Sequence, residues 1–157
     1  MEDLKSILKD IRKKLTDNVY EKEEHVRLSL AARLCYALGW NIWNPQEFYT
    51  EFTIKTKTKE GSVDIVLFHS LVKDKTPDVF IEVKSVGKLS GNIRESEDQL
   101  QDYNYYNNAS ITILTDGRIW RFYLSSASGT FSQRMFCNLD LLAVSYTHLT
   151  LPTILRV

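Results

Sequence analysis

The residues best placed to do chemistry lie in "PDVFIEVKS", residues 77–85. Val79, Phe80, Ile81 and Val83 make an apolar run of strand length, and that run carries Glu82 and Lys84 near its end, two residues apart. On a strand, side chains at i and i+2 share a face at roughly 6.5–7 Å. A carboxylate and an ammonium therefore project side by side from an otherwise apolar strand. The bland reading is a solvated strand end with one charge pair. The sharper one is half of a metal-dependent active site.

A second carboxylate poses the same problem. Asp64 interrupts "SVDIVLF" between Val63 and Ile65, where an unpaired, desolvated acid costs several kcal/mol. It must be exposed at a sheet end, paired with a cation, or holding a metal. If its strand neighbours that of Glu82, about 4.8 Å away, the two carboxylates can converge on one ion. Hard oxygen ligands with room for water suit magnesium or manganese. Lys84 beside a metal-bound water can orient or deprotonate it, or offset charge growing on a phosphoryl group during in-line attack. Asp78 lies on the same strand face as Glu82 but four residues away, roughly 13 Å if extended, so those two cannot share an ion. Asp followed by Glu-x-Lys on the next strand is the pattern of the PD-(D/E)xK phosphodiesterases, although E-x-K alone is common by chance.

Other polar residues accompany this set. Gln99 and Tyr103 in "QLQDY" lie four apart, on one helix face. Glu23 and Glu24 open a helix upstream, where either can lean over the strand ends or simply complement the helix dipole. Lys88 and Arg94, with Lys55, Lys57 and Lys59, offer a local basic rim for phosphates; lysines on a strand edge are equally a device against aggregation. His25, His69 and His148 share no ligand spacing. Tyr103, Tyr105 and Tyr106 can stack on bases, or one or two of them pack between helix and sheet, and Trp40, Trp43 and Trp120 read as core or core-edge.

The elements that position these residues follow from periodicity. Leu4, Ile7, Leu8, Ile11 and Leu15 mark an amphipathic helix, and Val26, Leu30, Leu34 and Leu38 a second one over about 21–38, closed by Gly39. "FYTEFTIKTK", 48–57, reads as a strand, "KEGS" as a turn into the strand "VDIVLF", and "HSLVKDKT" as a loop before "DVFIEV". A polar helix is expected over about 92–106. "SITILT", "DG" and "RIWRFYL" predict a β-hairpin, because Asp-Gly supplies the positive φ of a tight turn. Helices, three strands, a helix and a hairpin make an α/β domain with a central mixed β-sheet flanked by helices.

The 157 residues suit one domain with a sizeable core. Twenty basic residues balance twenty acidic ones, which argues against a purely charge-driven polyanion binder and makes any phosphate site local. Cys35 and Cys137 have no metal-ligand spacing and read as reduced core thiols, consistent with a cytoplasmic protein. No segment is long and apolar enough for a signal peptide or a membrane span. Residues 1–20 are expected to hold the first helix, 21–143 the main domain, and 144–157 a non-native tail. "VSYTHLTLPT" in that tail resembles the translation of a transposon-end adapter used in sequencing libraries, so the natural protein is expected to continue differently.

From about residue 23 to 123 the chain resembles the N-terminal nuclease domain of type I restriction enzyme R subunits and their short stand-alone relatives. The resemblance rests on "EEHVR", "LGWNIWNP", "EFYTEF", "VDIVLF", "VFIEVKS", "QLQDY" and "ILTDGRIWRFY", in order and at matching spacing. It implies a restriction-endonuclease-like fold that cuts double-stranded DNA with Mg2+, Mn2+ serving in its place. Asp64 and Glu82 would be metal ligands, helped by a backbone carbonyl near Val83, and Lys84 the catalytic lysine. Gln99 and Tyr103 would match the family's Q-x-x-x-Y element near the DNA backbone or active site, and Glu23 or Glu24 its helical acidic residue. Specificity and modification subunits, and a helicase motor in cis or in trans, are the implied partners. The R subunits' motor carries a phosphate-binding loop, and no G-x-x-x-x-G-K-S/T occurs here. The alternative is a catalytically inactive DNA-binding or assembly module of the same fold.

Overall fold

The structure, a computed structural model, describes residues 3–56, 60–69 and 76–143; the expectations for Lys57, Lys59, His148, most of the 69–76 loop and the 144–157 tail lie outside them. Six strands form one sheet in the order of the chain: β1 (Phe48–Lys55), β2 (Glu60–Leu67), β3 (Val79–Val83), β4 (Ile111–Thr115), β5 (Ile119–Leu124) and β6 (Met135–Asp140). Every neighbouring pair is antiparallel except β3 and β4, which run parallel. The connection between those two contains α4 (Arg94–Asn107), as a parallel pair requires a crossover.

Helices cover both faces. On one lie α1 (Leu4–Thr16) and a continuous helical stretch made of α2 (Glu23–His25), a π-helical segment (Val26–Ala32) and α3 (Arg33–Ala37). Asp3 caps α1 through the Ser6 N–H, and Ile7, Leu8, Ile11 and Leu15 are buried along its stripe. These residues, with Val26, Leu30 and Leu34, pack on Ile65, Ile81, Val83, Ile113 and Phe122. On the other face, Leu100 and Tyr103 of α4 pack on Val63, Val66, Phe80, Leu114 and Tyr123. Being covered on both sides, β3 is buried throughout, which accounts for its unbroken apolar run. No helix among the described residues is long and apolar enough to cross a membrane.

The α/β architecture, the helix pair, the strands carrying Asp64 and Glu82, and the Asp-Gly hairpin are as expected. Four details differ. Of "KEGS", the residues Glu60, Gly61 and Ser62 lie in strand β2 and not in a turn, and Gly61 is where Tyr103 crosses the strand. A Cβ there would stand 2.7 Å from Tyr103 Cε1. The edge strand β6 is additional; it pairs with β5 and is mostly exposed or half-buried. Trp43 is 80% exposed, on the turn before β1, while Trp40 and Trp120 are buried. Cys35 is buried, with its thiol pushed up to about 12 by burial, but Cys137 is only half-buried; both are free.

The sheet loses its regularity at Asp64. Ile65 belongs to the core under α1–α3, yet Val63, two residues earlier, belongs to the core under α4. Residues two apart on a regular strand share a face, so β2 switches faces at Asp64. Across from it, β1 switches too. The paired register runs through Thr50–Ile65 and Phe52–Val63 but skips Glu51 and Asp64, and Glu51 has φ +52°, a left-handed conformation unusual for glutamate.

Candidate active site

β2 and β3 are paired from Leu67–Val79 to Ile65–Ile81. At the end where this ladder stops, Asp64 takes over with its side chain: its Oδ2 accepts the Val83 backbone N–H at 2.7 Å. Asp64 thus stands next to Glu82, and its charge is felt there. The Glu82 carboxyl is pushed up to about 7, first by burial and then by the neighbouring Asp64 carboxylate, against the opposing pull of Lys84. Burial also raises Asp64, while the Val83 N–H, Arg27 and Lys84 pull it down.

Glu82 is 4% exposed. Its Oε1 accepts from Lys84 Nζ at 2.9 Å, and its Oε2 is buried without a partner among the described residues. Lys84 also donates to Gln99 Oε1 at 3.3 Å, and Gln99 Nε2 donates to the Tyr103 hydroxyl at 2.7 Å. Burial draws the Lys84 ammonium down, but Glu82, Glu23 and Asp64 together outweigh it and leave its pKa raised. It therefore keeps its proton at neutral pH.

Of the two upstream acids, Glu23 is the one drawn into this field. Its carboxyl is raised by burial and by the charge on Asp64, with Lys84 opposing. Both glutamates are exposed at the surface, Glu24 one position along. Lys88, on a 3-10 turn (Lys88–Ser90), and Arg94, opening α4, are exposed. Neither makes an ion pair with the carboxylates among the described residues. Tyr105 and Tyr106 are exposed and packed edge to face on each other. Asp78 serves the backbone instead, accepting the His69 N–H, and His25 Nδ1 accepts the Glu21 N–H at 3.2 Å.

Two residues belong to the site that the sequence did not single out. Arg27, in the π-helical segment, places Nη1 3.5 Å from Asp64 Oδ1 and 3.3 Å from Glu51 Oε1. Arg27 does fall one helical turn after Glu23, and Glu51 is a charge within an aromatic strand. Those are the only signals, and both read first as a solvated surface.

The donor set fits a hard divalent ion. A buried carboxylate oxygen on Glu82 with no partner among the described residues, and the Oδ1 of Asp64 beside Arg27, are the ligand type such an ion takes. Among the described residues, four carboxylates, Glu23, Glu51, Asp64 and Glu82, face two cations, Arg27 and Lys84, so when ionised they leave two negative charges in excess. Among the described residues, no three His, Cys, Asp or Glu side chains converge as a ready metal cage. An ion here would complete its shell with backbone and water oxygen.

The sequence model of a family described as type I restriction enzyme R protein N terminus matches residues 22–133. A chain in the cryo-EM structure of a DrdV–DNA complex has the same fold, with a TM-score of 0.58 and 19% identity over 87% of the present chain. The present chain spans 12% of that larger one. No curated protein matches the chain.

Proposed function

Because the chain belongs to the family of type I restriction enzyme R protein N termini, we propose that it is the DNA-cleaving domain of a restriction system, a magnesium-dependent endonuclease that hydrolyses phosphodiester bonds of double-stranded DNA. The observation that carries the reading is Glu82: a buried carboxylate with one oxygen on Lys84, the other without a partner, and Asp64 beside it. A buried acid left half-satisfied costs stability, and such groups concentrate at functional sites. The fold neighbour was solved with DNA, which supports DNA as the substrate.

In this reading Asp64 and Glu82 hold the ion, joined by the Val83 carbonyl, while the Val83 N–H fixes the Asp64 carboxylate in place. Bound Mg2+ would supply activation of a water and neutralisation of charge at the phosphoryl group. Lys84 acts as a donor, not a base, since the surrounding carboxylates hold its proton on. It orients the attacking water or offsets charge on the phosphoryl oxygens. Gln99 keeps the ammonium in place, and Tyr103 keeps Gln99. Glu23 is the helix-borne acid of the set. Lys88 and Arg94 are exposed cations for the DNA backbone. Action together with a helicase motor, in cis or in trans, and with specificity and modification subunits belongs to the same proposal.

The test is a calorimetric titration of Mn2+ into the chain, beside Asp64→Asn and Glu82→Gln. Saturable binding that both substitutions remove supports the metal site. Equal weak binding in all three, or none, would overturn it and favour a non-catalytic DNA-binding or assembly module.

A further inference from the structure

Arg27 is shared between two carboxylates of different accessibility. The Asp64 side chain is 16% exposed and that of Glu51 is 68% exposed. Its Nη1 donates a hydrogen bond to Glu51 Oε1 at 3.3 Å. At 3.5 Å from Asp64 Oδ1 it makes an ionic contact at the outer limit of hydrogen-bond length. Oδ2 of Asp64 is committed to the Val83 N–H, so an ion at Asp64 would meet the oxygen that Arg27 also faces.

The backbone holds this arrangement at some cost. Glu51 keeps a left-handed φ in the middle of β1, directly across from Asp64 where both strands switch faces. Such strain persists where the surroundings over-determine it and gathers at functional positions. Arg27 itself lies in a π-helical segment, a rare geometry with the same tendency. Two separate irregularities, on different elements, converge on one guanidinium.

We propose that Arg27 is a built-in counter-ion that competes with the divalent ion for Asp64, and that Glu51 is the second acceptor that draws it aside. The inference rests on the metal-dependent reading above. It makes Arg27 and Glu51 a latch on metal occupancy rather than ligands. A cation beside a ligand oxygen repels an incoming divalent ion. Offering that cation another carboxylate at equal reach weakens its hold.

The latch makes a prediction of opposite signs. In a calorimetric Mn2+ titration of the full chain, Arg27→Gln tightens binding by on the order of tenfold, the scale on which one neighbouring charge shifts a proton affinity. Glu51→Gln keeps the side-chain shape and backbone cost but leaves Arg27 with Asp64 alone, and weakens binding by several-fold. If Arg27 merely scaffolds Asp64, both substitutions weaken binding together, and that result, or no change in either, overturns the proposal. Should Arg27→Gln not fold, Arg27→Met, which keeps the aliphatic stem and removes the charge, takes its place: tighter binding is expected, and weaker or unchanged binding is the overturning result. If wild type and the folded variants all fail to bind Mn2+, the nuclease reading falls and the latch with it. Binding in the wild type that Asp64→Asn removes, without the opposed signs, rejects the latch only.

Discussion

The Tyr103 hydroxyl stands directly over Gly61, so that a Cβ added to the glycine would lie 2.9 Å from the oxygen and 2.7 Å from Cε1 of the same ring. A residue without a side chain in β2 thus lets an aromatic ring from α4 lie flat enough to hold Gln99, which in turn accepts from Lys84. The chain of contacts runs from a strand backbone to the ammonium of the site.

Gly61→Ala is expected to displace the Tyr103 ring and to cost roughly 1–3 kcal/mol, the usual penalty for overpacking. Tyr103→Phe keeps the ring but loses the hydroxyl, at about 1 kcal/mol. Urea denaturation measures both. Both substitutions should lower DNA cleavage while leaving Mn2+ binding in place, since neither touches Asp64 or Glu82. Loss of metal binding in Tyr103→Phe would show that the relay supports the ligands themselves.

Asp64 and Glu82 were legible in the sequence because each breaks an apolar run, and burial gives a lone carboxylate few ways to be satisfied. The helix bearing Gln99 and Tyr103 was legible from their four-residue spacing. Arg27 was not, since an arginine on an amphipathic helix ordinarily reads as solvated, and its partners depend on the register of β1 against β2. Gly61 misled because glycine between polar residues suggests a turn, whereas the fold needs its missing side chain. β6 was missed because "MFCNLD" contains Asn138 and Asp140, residues depleted in strands, and lies at a largely exposed edge. Trp43 reads as core by residue type, and type alone does not bury a side chain on a turn.

Asp116 ties the hairpin to the rest of the site's scaffold. It is fully buried in the Asp-Gly turn, and both oxygens serve backbone donors. Oδ2 accepts from Gly87 and Leu89, at 3.0 and 3.2 Å, and Oδ1 from Arg118 and Ile119, at 3.1 and 2.8 Å. The hairpin therefore anchors the loop after Lys84. Asp116→Ala strands these buried N–H groups and is expected to cost roughly 2–4 kcal/mol. Hydrogen exchange should show Leu89 losing protection along with the turn. If only the turn amides respond, the anchoring of the loop is refuted.

Stability should depend on pH through Glu82. In the fold this carboxyl holds its proton up to about 7, against an ordinary value of 4.5. A raised folded pKa favours folding fully below the unfolded value, and that contribution is lost as pH climbs through the folded value. Without added divalent ion, stability should fall by roughly 1–3 kcal/mol between about pH 4.5 and 7 through this group, and Asp64, raised in the same direction, adds to the trend. Urea midpoints at pH 5 and pH 8 measure it. Glu82→Gln should flatten the profile, and a profile unchanged by that substitution would place the titration elsewhere.

Lys84 separates cleavage from binding. Its ammonium is bonded to Glu82 and Gln99, and in the proposed reaction it acts on the water or the phosphoryl oxygens. Lys84→Ala should therefore reduce Mg2+-dependent plasmid cleavage by roughly 10²–10³-fold, the loss typical of one preorganised donor to a developing charge. Removing it takes away the positive charge bonded to Glu82 and leaves, among the described residues, only Arg27 beside the carboxylates, so Mn2+ binding should be retained or tightened. Duplex binding, read by fluorescence anisotropy, should change little, because one half-buried cation contributes little to the salt-dependent attraction of a DNA backbone. A variant that loses cleavage and DNA affinity in proportion would make Lys84 a phosphate contact only. That outcome would remove the chemical role while leaving the proposed two-carboxylate metal site in play.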